Sequence, residues 1–247
     1  MARLISTFQS QVNDAPLEQL TKNLGFARCN GSDRWLVVRL DQPHHSLSWA
    51  ITEGGRTTTQ NVVWLKVEGK DLAPPVKADE FLRSALRKEG LYPAVGLLTS
   101  AYLTNAVIHR AKENGVEATT IATVGMGNAL RVGDPGHDFD SVGTINLCCR
   151  VSVGLDASGQ LEALSMITEA KTAAVLDSGI RSKKSGQPAT GTGTDYPVIL
   201  SPISDRSLTY AGKHTSLGAV IGKSVYHAVT MGIDAWKLDN PNHSLLS

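Results

Sequence analysis

Cysteine is nearly absent: the 247-residue chain holds three, Cys29, Cys148 and Cys149. An odd count with two adjacent thiols builds no disulfide framework, so a reducing cytoplasm is the expected setting. Charge of one sign is missing too. Lys and Arg number 24 against 23 Asp and Glu, a net charge of +1, which excludes a broad basic face for nucleic acid or a membrane surface. No run approaches the ~18 apolar residues of a membrane span, and Met1 to Ser10 lacks the apolar core of a signal peptide. Histidine and cysteine never fall at zinc-type spacing. The adjacent His44 and His45 diverge on a strand, so no metal site is expected.

What is present is ordinary for a globular domain, 41% hydrophobic and 19% charged. Residues 1–30 are polar and weakly patterned and read as a peripheral segment, leaving 31–247 as one domain. Strands are expected at Arg34 to Leu40, Leu47 to Ile51, Asn61 to Val67, Thr119 to Val124 and Val142 to Val153. Helices are expected at Ala78 to Lys88, Thr99 to Asn114, Leu161 to Ser178 and Ser216 to Met231. A loop is read at Gly133-Asp134-Pro135-Gly136-His137. Early strands without helices between them, followed by alternation, predict a layered α/β domain of α+β character. Its sheet should be mixed and partly antiparallel, with helices packed on it. A rough similarity of Val95 to Asn128 with Val142 to Asp195 raises the option of a degenerate internal repeat.

The most telling segment is Pro188-Ala-Thr-Gly-Thr-Gly-Thr-Asp195, which runs into the apolar Tyr196 to Leu200. Its glycines permit tight turns and close backbone approach. Thr190, Thr192 and Thr194 add hydroxyls, and Asp195 adds an acceptor or base. Such a run suits a polar or anionic ligand. The short basic cluster Arg181-Ser182-Lys183-Lys184 beside it is a solvated loop or a small anion contact. Three further motifs join it: Gly143-Thr144-Ile145-Asn146, Thr168-Glu169-Ala170-Lys171, and Tyr210-Ala211-Gly212-Lys213-His214-Thr215.

Together these resemble the adenosylcobinamide amidohydrolase family of corrinoid salvage. Glu53-Gly54-Gly55, Val95 to Thr99 and Gly127 to Pro135 add to the resemblance, which covers most of the chain beyond its first ~30 residues. It implies hydrolysis of the amide between the aminopropanol arm and a propionate side chain of an adenosylated corrinoid. The products would be adenosylcobyric acid and 1-amino-2-propanol. The corrinoid is then a small-molecule substrate, no cofactor is needed, and assembly into a homo-oligomer stays open. The alternative is a corrinoid- or nucleotide-binding module without hydrolysis. The run lacks the lysine of a P-loop, and no Gly-x-Gly-x-x-Gly opens a helix.

Amide hydrolysis needs a nucleophile or activated water, donors for the oxyanion and an acid for the leaving amine. Asp195 and His214 are the acid–base candidates, since histidine as a residue type exchanges protons near neutrality. Backbone N–H groups of residues 191 to 194 are candidate oxyanion donors. Activated water is the default nucleophile and a threonine hydroxyl the second, with Thr194 among the catalytic candidates. Ala163, Ile167, Ala170 and Ala174 form one small apolar helix face. Lys171 lies about 70° from its centre, either snorkelling past the rim or reaching a polar site. Glu169 points away and is kept for its motif alone. Thr144 and Asn146 share a strand face; Asn146 could donate to an oxyanion, and Thr144 could be a nucleophile or a hydrogen-bond anchor. Cys148 shares that face, leaving a thiol nucleophile open, while no Gly-x-Ser-x-Gly elbow exists. Thr144, Thr190, Gly191, Thr192, Gly193, Lys213, Gly54 and Gly55 complete the expected substrate contacts.

Overall fold

A computed structural model describes residues 22–136 and 143–243. The expected His137 and Val142, like residues 1–21, lie outside them. In chain order the main elements are β1 (Lys22–Asn23), β2 (Ala27–Gly31), β3 (Trp35–Ser48), β4 (Gly55–Lys66), α1 (Ala78–Lys88), β5 (Val95–Thr99), β6 (Val107–Glu113), β7 (Val116–Val124), β8 (Ala129–Leu130), β9 (Ile145–Val151), β10 (Gly154–Leu155), α2 (Ala157–Asp177), β11 (Gly191–Thr192), β12 (Tyr196–Pro202), β13 (Ser207–Leu208) and α3 (Ser216–Asp239).

Nine of these strands form one mixed sheet. Its main path runs β1-β2-β3-β12-β9-β7-β6, and β3 also pairs β4, which pairs β5. β12 lies parallel to β9 and β4 to β5, whereas the other pairings in this sheet are antiparallel. The branch point is β3. Its register against β4 slips between Arg39 and His44, so one long strand serves β2 with its first half and β12 with its second.

Alternation along the strands builds the layers. On β4, Val63 and Leu65 face α1 residues Leu82 and Leu86, while Val62 and Trp64 face inward. Those inward residues meet Ile121, Cys148, Val198 and Leu200 of β7, β9 and β12. The opposite side of β9, with Ile145, Leu147, Cys149 and Val151, packs on α2 and α3. The order is therefore helix, sheet arm, sheet arm, helices. Both sheet arms are covered on two faces, which is why Val62 to Leu65 of β4 and most of β9 are apolar and buried without alternation.

Three expectations are corrected. Val107–Glu113 is a strand, not part of a helix: it pairs with β7 from Val107↔Ala122 to Glu113↔Val116. Asn114 and Gly115 form the turn with φ of 47° and 79°, and an Asn-Gly hairpin signal outweighs helical apolar spacing here. With no helix there, the two supposed repeats have different contents. Of the segment expected to be peripheral, Lys22–Asn23 and Ala27–Gly31 form β1 and β2, which join the sheet through β3 and bury Ala27 and Cys29. α3 runs past Met231 to Asp239 because Ile233 and Trp236 continue its buried face.

Candidate functional site

The Gly/Thr run is held at both ends. β11 pairs antiparallel with β8, and Thr190 accepts from Val132 N at 2.8 Å. Asp195 follows at the entrance to β12, where Trp49 donates its indole N–H to the Asp195 carbonyl at 2.7 Å. Inside this frame the carboxylate is fully engaged. Thr192 donates its hydroxyl to Asp195 Oδ1 at 2.6 Å and its backbone N–H at 3.1 Å. Lys171 Nζ meets Asp195 Oδ2 at 2.7 Å and donates to the Thr190 carbonyl at 3.0 Å.

Lys171 reaches this position because α2 is covered on more than one flank. Asp156 caps the helix by accepting from Gly159 N, and Ala163, Ile167, Ala170 and Ala174 are all buried, as expected for the small apolar face. Lys171 is only 8% exposed, so at the border of that face it turns inward to the run instead of snorkelling. Gly191 makes the room. A Cβ there would sit 2.2 Å from Asp195 Oδ2 and 2.6 Å from Lys171 Nζ.

Thr144 and Thr194 approach each other, hydroxyl to hydroxyl, at 3.2 Å, and Thr194 N donates to Thr192 Oγ1 at 3.4 Å. Thr144, Lys171, Thr190, Gly191, Thr192, Thr194 and Asp195 thus share one site. Gly193, exposed, bridges Thr192 and Thr194, and its N–H donates to no described residue. Asn146 lies next in the sheet but is committed elsewhere. Its Nδ2 donates to the Leu98 carbonyl at 2.7 Å in a fully buried position, so it is no ready oxyanion donor. Its Oδ1 is left without a described partner, as is Oγ1 of Thr123, the residue directly across on β7.

Other expected residues fall outside this cluster. Lys213 pairs with Glu169, and Ala211 N donates to Glu162 Oε2 at 2.5 Å. Glu162 and Glu169 lie seven positions apart on one face of α2, and Lys171 projects about 200° from Glu169. The Ala211 to Thr215 turn is therefore anchored on the face turned away from Lys171. His214 is exposed and hydrogen-bonds no described residue, so it stands apart from Asp195, the other acid–base candidate. Thr215 instead caps α3 by accepting from Gly218 N at 2.9 Å. Gly54 and Gly55 serve the turn after β3. A Cβ on Gly54 would stand 2.6 Å from the Ala50 carbonyl, and Gly55 has φ of 80°.

The basic cluster folds into a closed hairpin. Arg181 Nη1 bonds the Gly186 carbonyl at 3.0 Å, and Ser182 donates to Asp134. The hydrogen bonds from Ser182, Ser185 and the Arg131 N–H hold the Asp134 carboxyl below its ordinary range. Cys148 and Cys149 are buried core thiols, both pushed up by burial, and offer no poised nucleophile. Trp49, half exposed beside Asp195, went unread in the sequence; its only hint is its place just before Glu53-Gly54-Gly55. A cavity of about 530 Å³ lies elsewhere, at α1 between Trp35, Phe81 and Lys88. No cluster of three or more metal-ligating side chains occurs among the described residues, and no described helix is long and apolar enough to cross a membrane.

Residues 17–241 match the model of the adenosylcobinamide amidohydrolase family. An uncharacterized protein of Methanocaldococcus jannaschii is 32% identical over 155 residues, which is 54% of this chain and 60% of that protein's length. Among solved structures, a Pyrococcus horikoshii OT3 protein aligns at a TM-score of 0.41 and 11% identity, over 82% of this chain and 78% of its own. The L-aminopeptidase D-Ala-esterase/amidase of Ochrobactrum anthropi, described as a variant among the Ntn hydrolase fold, aligns at 0.37 and 12% identity, over 87% and 81%.

Proposed function

Because the chain belongs to the adenosylcobinamide amidohydrolase family, we propose that it hydrolyses the aminopropanol amide of adenosylcobinamide, giving adenosylcobyric acid and 1-amino-2-propanol in corrinoid salvage. The observation that supports this reading is the Lys171–Asp195 pair set under the Gly/Thr run. An amide resists attack until a base accepts a proton and donors meet the developing oxyanion. Asp195 is the base, oriented on one oxygen by Lys171 and on the other by Thr192. The Gly193 N–H is the oxyanion donor. Thr144 and Thr194 line the same mouth, and Trp49 offers an apolar plate at its edge for the planar macrocycle. The departing amine collects the proton that Asp195 took up.

Incubation of the purified protein with adenosylcobinamide, followed by quantitation of free 1-amino-2-propanol, tests the proposal. Release above a no-protein control, lowered by about 10² or more in Asp195→Asn, is expected. Tight corrinoid binding without amine release would favour a binding module and overturn the hydrolytic reading.

A further inference from the structure

We infer that Thr192 is the nucleophile and that the reaction passes through a corrinoid acyl ester on its Oγ1. The inference rests on the amidohydrolase reading above and names the group that reading leaves unassigned. Four threonine hydroxyls converge here, and their hydrogen bonds separate them. Thr190 Oγ1 accepts from Val132 N, and Thr144 and Thr194 bond to each other. Thr192 alone of the four donates its hydroxyl to a carboxylate, at 2.6 Å.

A hydroxyl becomes a useful nucleophile only when an adjacent base takes its proton, and the base works best when a third group holds it. Asp195 Oδ1 is that base. Lys171, tied also to the Thr190 carbonyl, fixes Oδ2 so that the carboxylate cannot turn away. Thr192 is partly exposed and stands between Gly191, which leaves space for the ion pair, and Gly193, whose N–H donates to no described residue. The oxyanion donor is therefore the residue following the nucleophile. The β-branch of threonine also restricts χ1, keeping Oγ1 on the carboxylate side.

The step balances. Thr192 Oγ1 bonds to the amide carbon while its proton passes to Asp195 Oδ1. Collapse breaks the C–N bond, and the proton leaves on the amine as 1-amino-2-propanol. Water then adds to the ester carbon and gives a proton to Asp195. The C–O bond breaks, and Thr192 Oγ1 recovers that proton. Net consumption is one water per amide, and Lys171 keeps its protons throughout.

The test compares wild type, Thr192→Val and Thr192→Ser with adenosylcobinamide, each variant checked for its thermal transition. Valine keeps the shape and the backbone N–H bond to Asp195 but has no hydroxyl. Turnover is expected to fall by about 10³ or more in Thr192→Val and to stay within about tenfold in Thr192→Ser. Acid-quenched wild type should carry the corrinoid mass on the peptide containing Thr192, and Thr192→Val should not. Aminopropanol release by folded Thr192→Val within about tenfold of wild type would overturn the nucleophile while leaving the hydrolase standing. Inactive Thr192→Ser with no adduct on wild type would overturn it in favour of a bracing role. A wild type that releases no aminopropanol would overturn the amidohydrolase reading itself.

Discussion

Lys171 Nζ stands 2.7 Å from Asp195 Oδ2, and the two side chains expose 10% and 14% of their surface. An ion pair this shielded is worth little against an apolar substitute, yet removing one partner strands the other charge, at a cost of about 3–5 kcal/mol. Lys171→Met should therefore lower the stability seen in urea by about that amount. The double variant Lys171→Met/Asp195→Asn should regain part of the loss, because no charge is then left unpaired. Equal stability of the single and double variants would argue against a coupled pair.

Gly191 tests the geometry without touching a charge. An added Cβ would fall inside contact distance of both Asp195 Oδ2 and Lys171 Nζ. The Thr190 hydrogen bonds to Leu130 and Val132 anchor the run independently, so the fold should survive. Gly191→Ala is expected to keep its circular dichroism spectrum while losing about 10² or more in kcat for amine release. Unchanged kcat would mean that the pair is not part of the chemistry.

Much of the fold was legible because covered strands leave an apolar imprint. The segments around Trp64 and Cys148 carry strand patterning, and α1 and α2 show helical periodicity. β6 was misread because its residues are half exposed on both faces, so helical spacing emerged by chance. At the site, Asp195 was singled out from glycine and hydroxyl content, and the outward turn of Glu169 followed from the helix period. The inward turn of Lys171 could not be decided, because it depends on Gly191, twenty positions later. The place of His214 was hidden for a comparable reason: a polar glycine turn does not say which face of α2 it will sit on. No residue near Asn146 announced its bond to Leu98, which exists because the two sheet arms close on each other.

The buried thiols make a chemical prediction. Burial pushes Cys148 well above the ordinary thiol range and Cys149 up to about 11, with hydrogen bonds from Thr120 and Ser224 drawing Cys149 partly back. Thiolate is the reactive form, so both should resist alkylation in the folded protein. Iodoacetamide at neutral pH is expected to leave amine release unchanged, and Cys148→Ala to keep turnover within a few fold. Rapid loss of activity traced to a modified Cys148 would revive the thiol as nucleophile.

His44 sets an expected loss of stability in mild acid. It sits on β3 with 1% of its surface exposed, its Nδ1 2.9 Å from the Gln42 carbonyl and its Nε2 3.4 Å from Arg150 Nε. Nδ1 must carry a proton to bond a carbonyl, so Nε2 is left as the acceptor facing Arg150. Burial lowers the His44 pKa most, and the charges of Arg150 and His45 add to this, against the Gln42 bond and Asp41, which raise it. His109 shifts the same way, through burial and His227. A histidine whose folded pKa is depressed takes up its proton first in the unfolded chain, so the unfolded state gains as pH falls. The stabilisation is complete above about pH 6.5, the ordinary histidine value, and is lost as pH drops through the lower folded values. Thermal transitions measured from pH 7.5 to 5 should therefore decline, and His44→Gln, which can still accept from Arg150 but does not titrate, should decline less. Parallel pH profiles for the two proteins would remove His44 from the account.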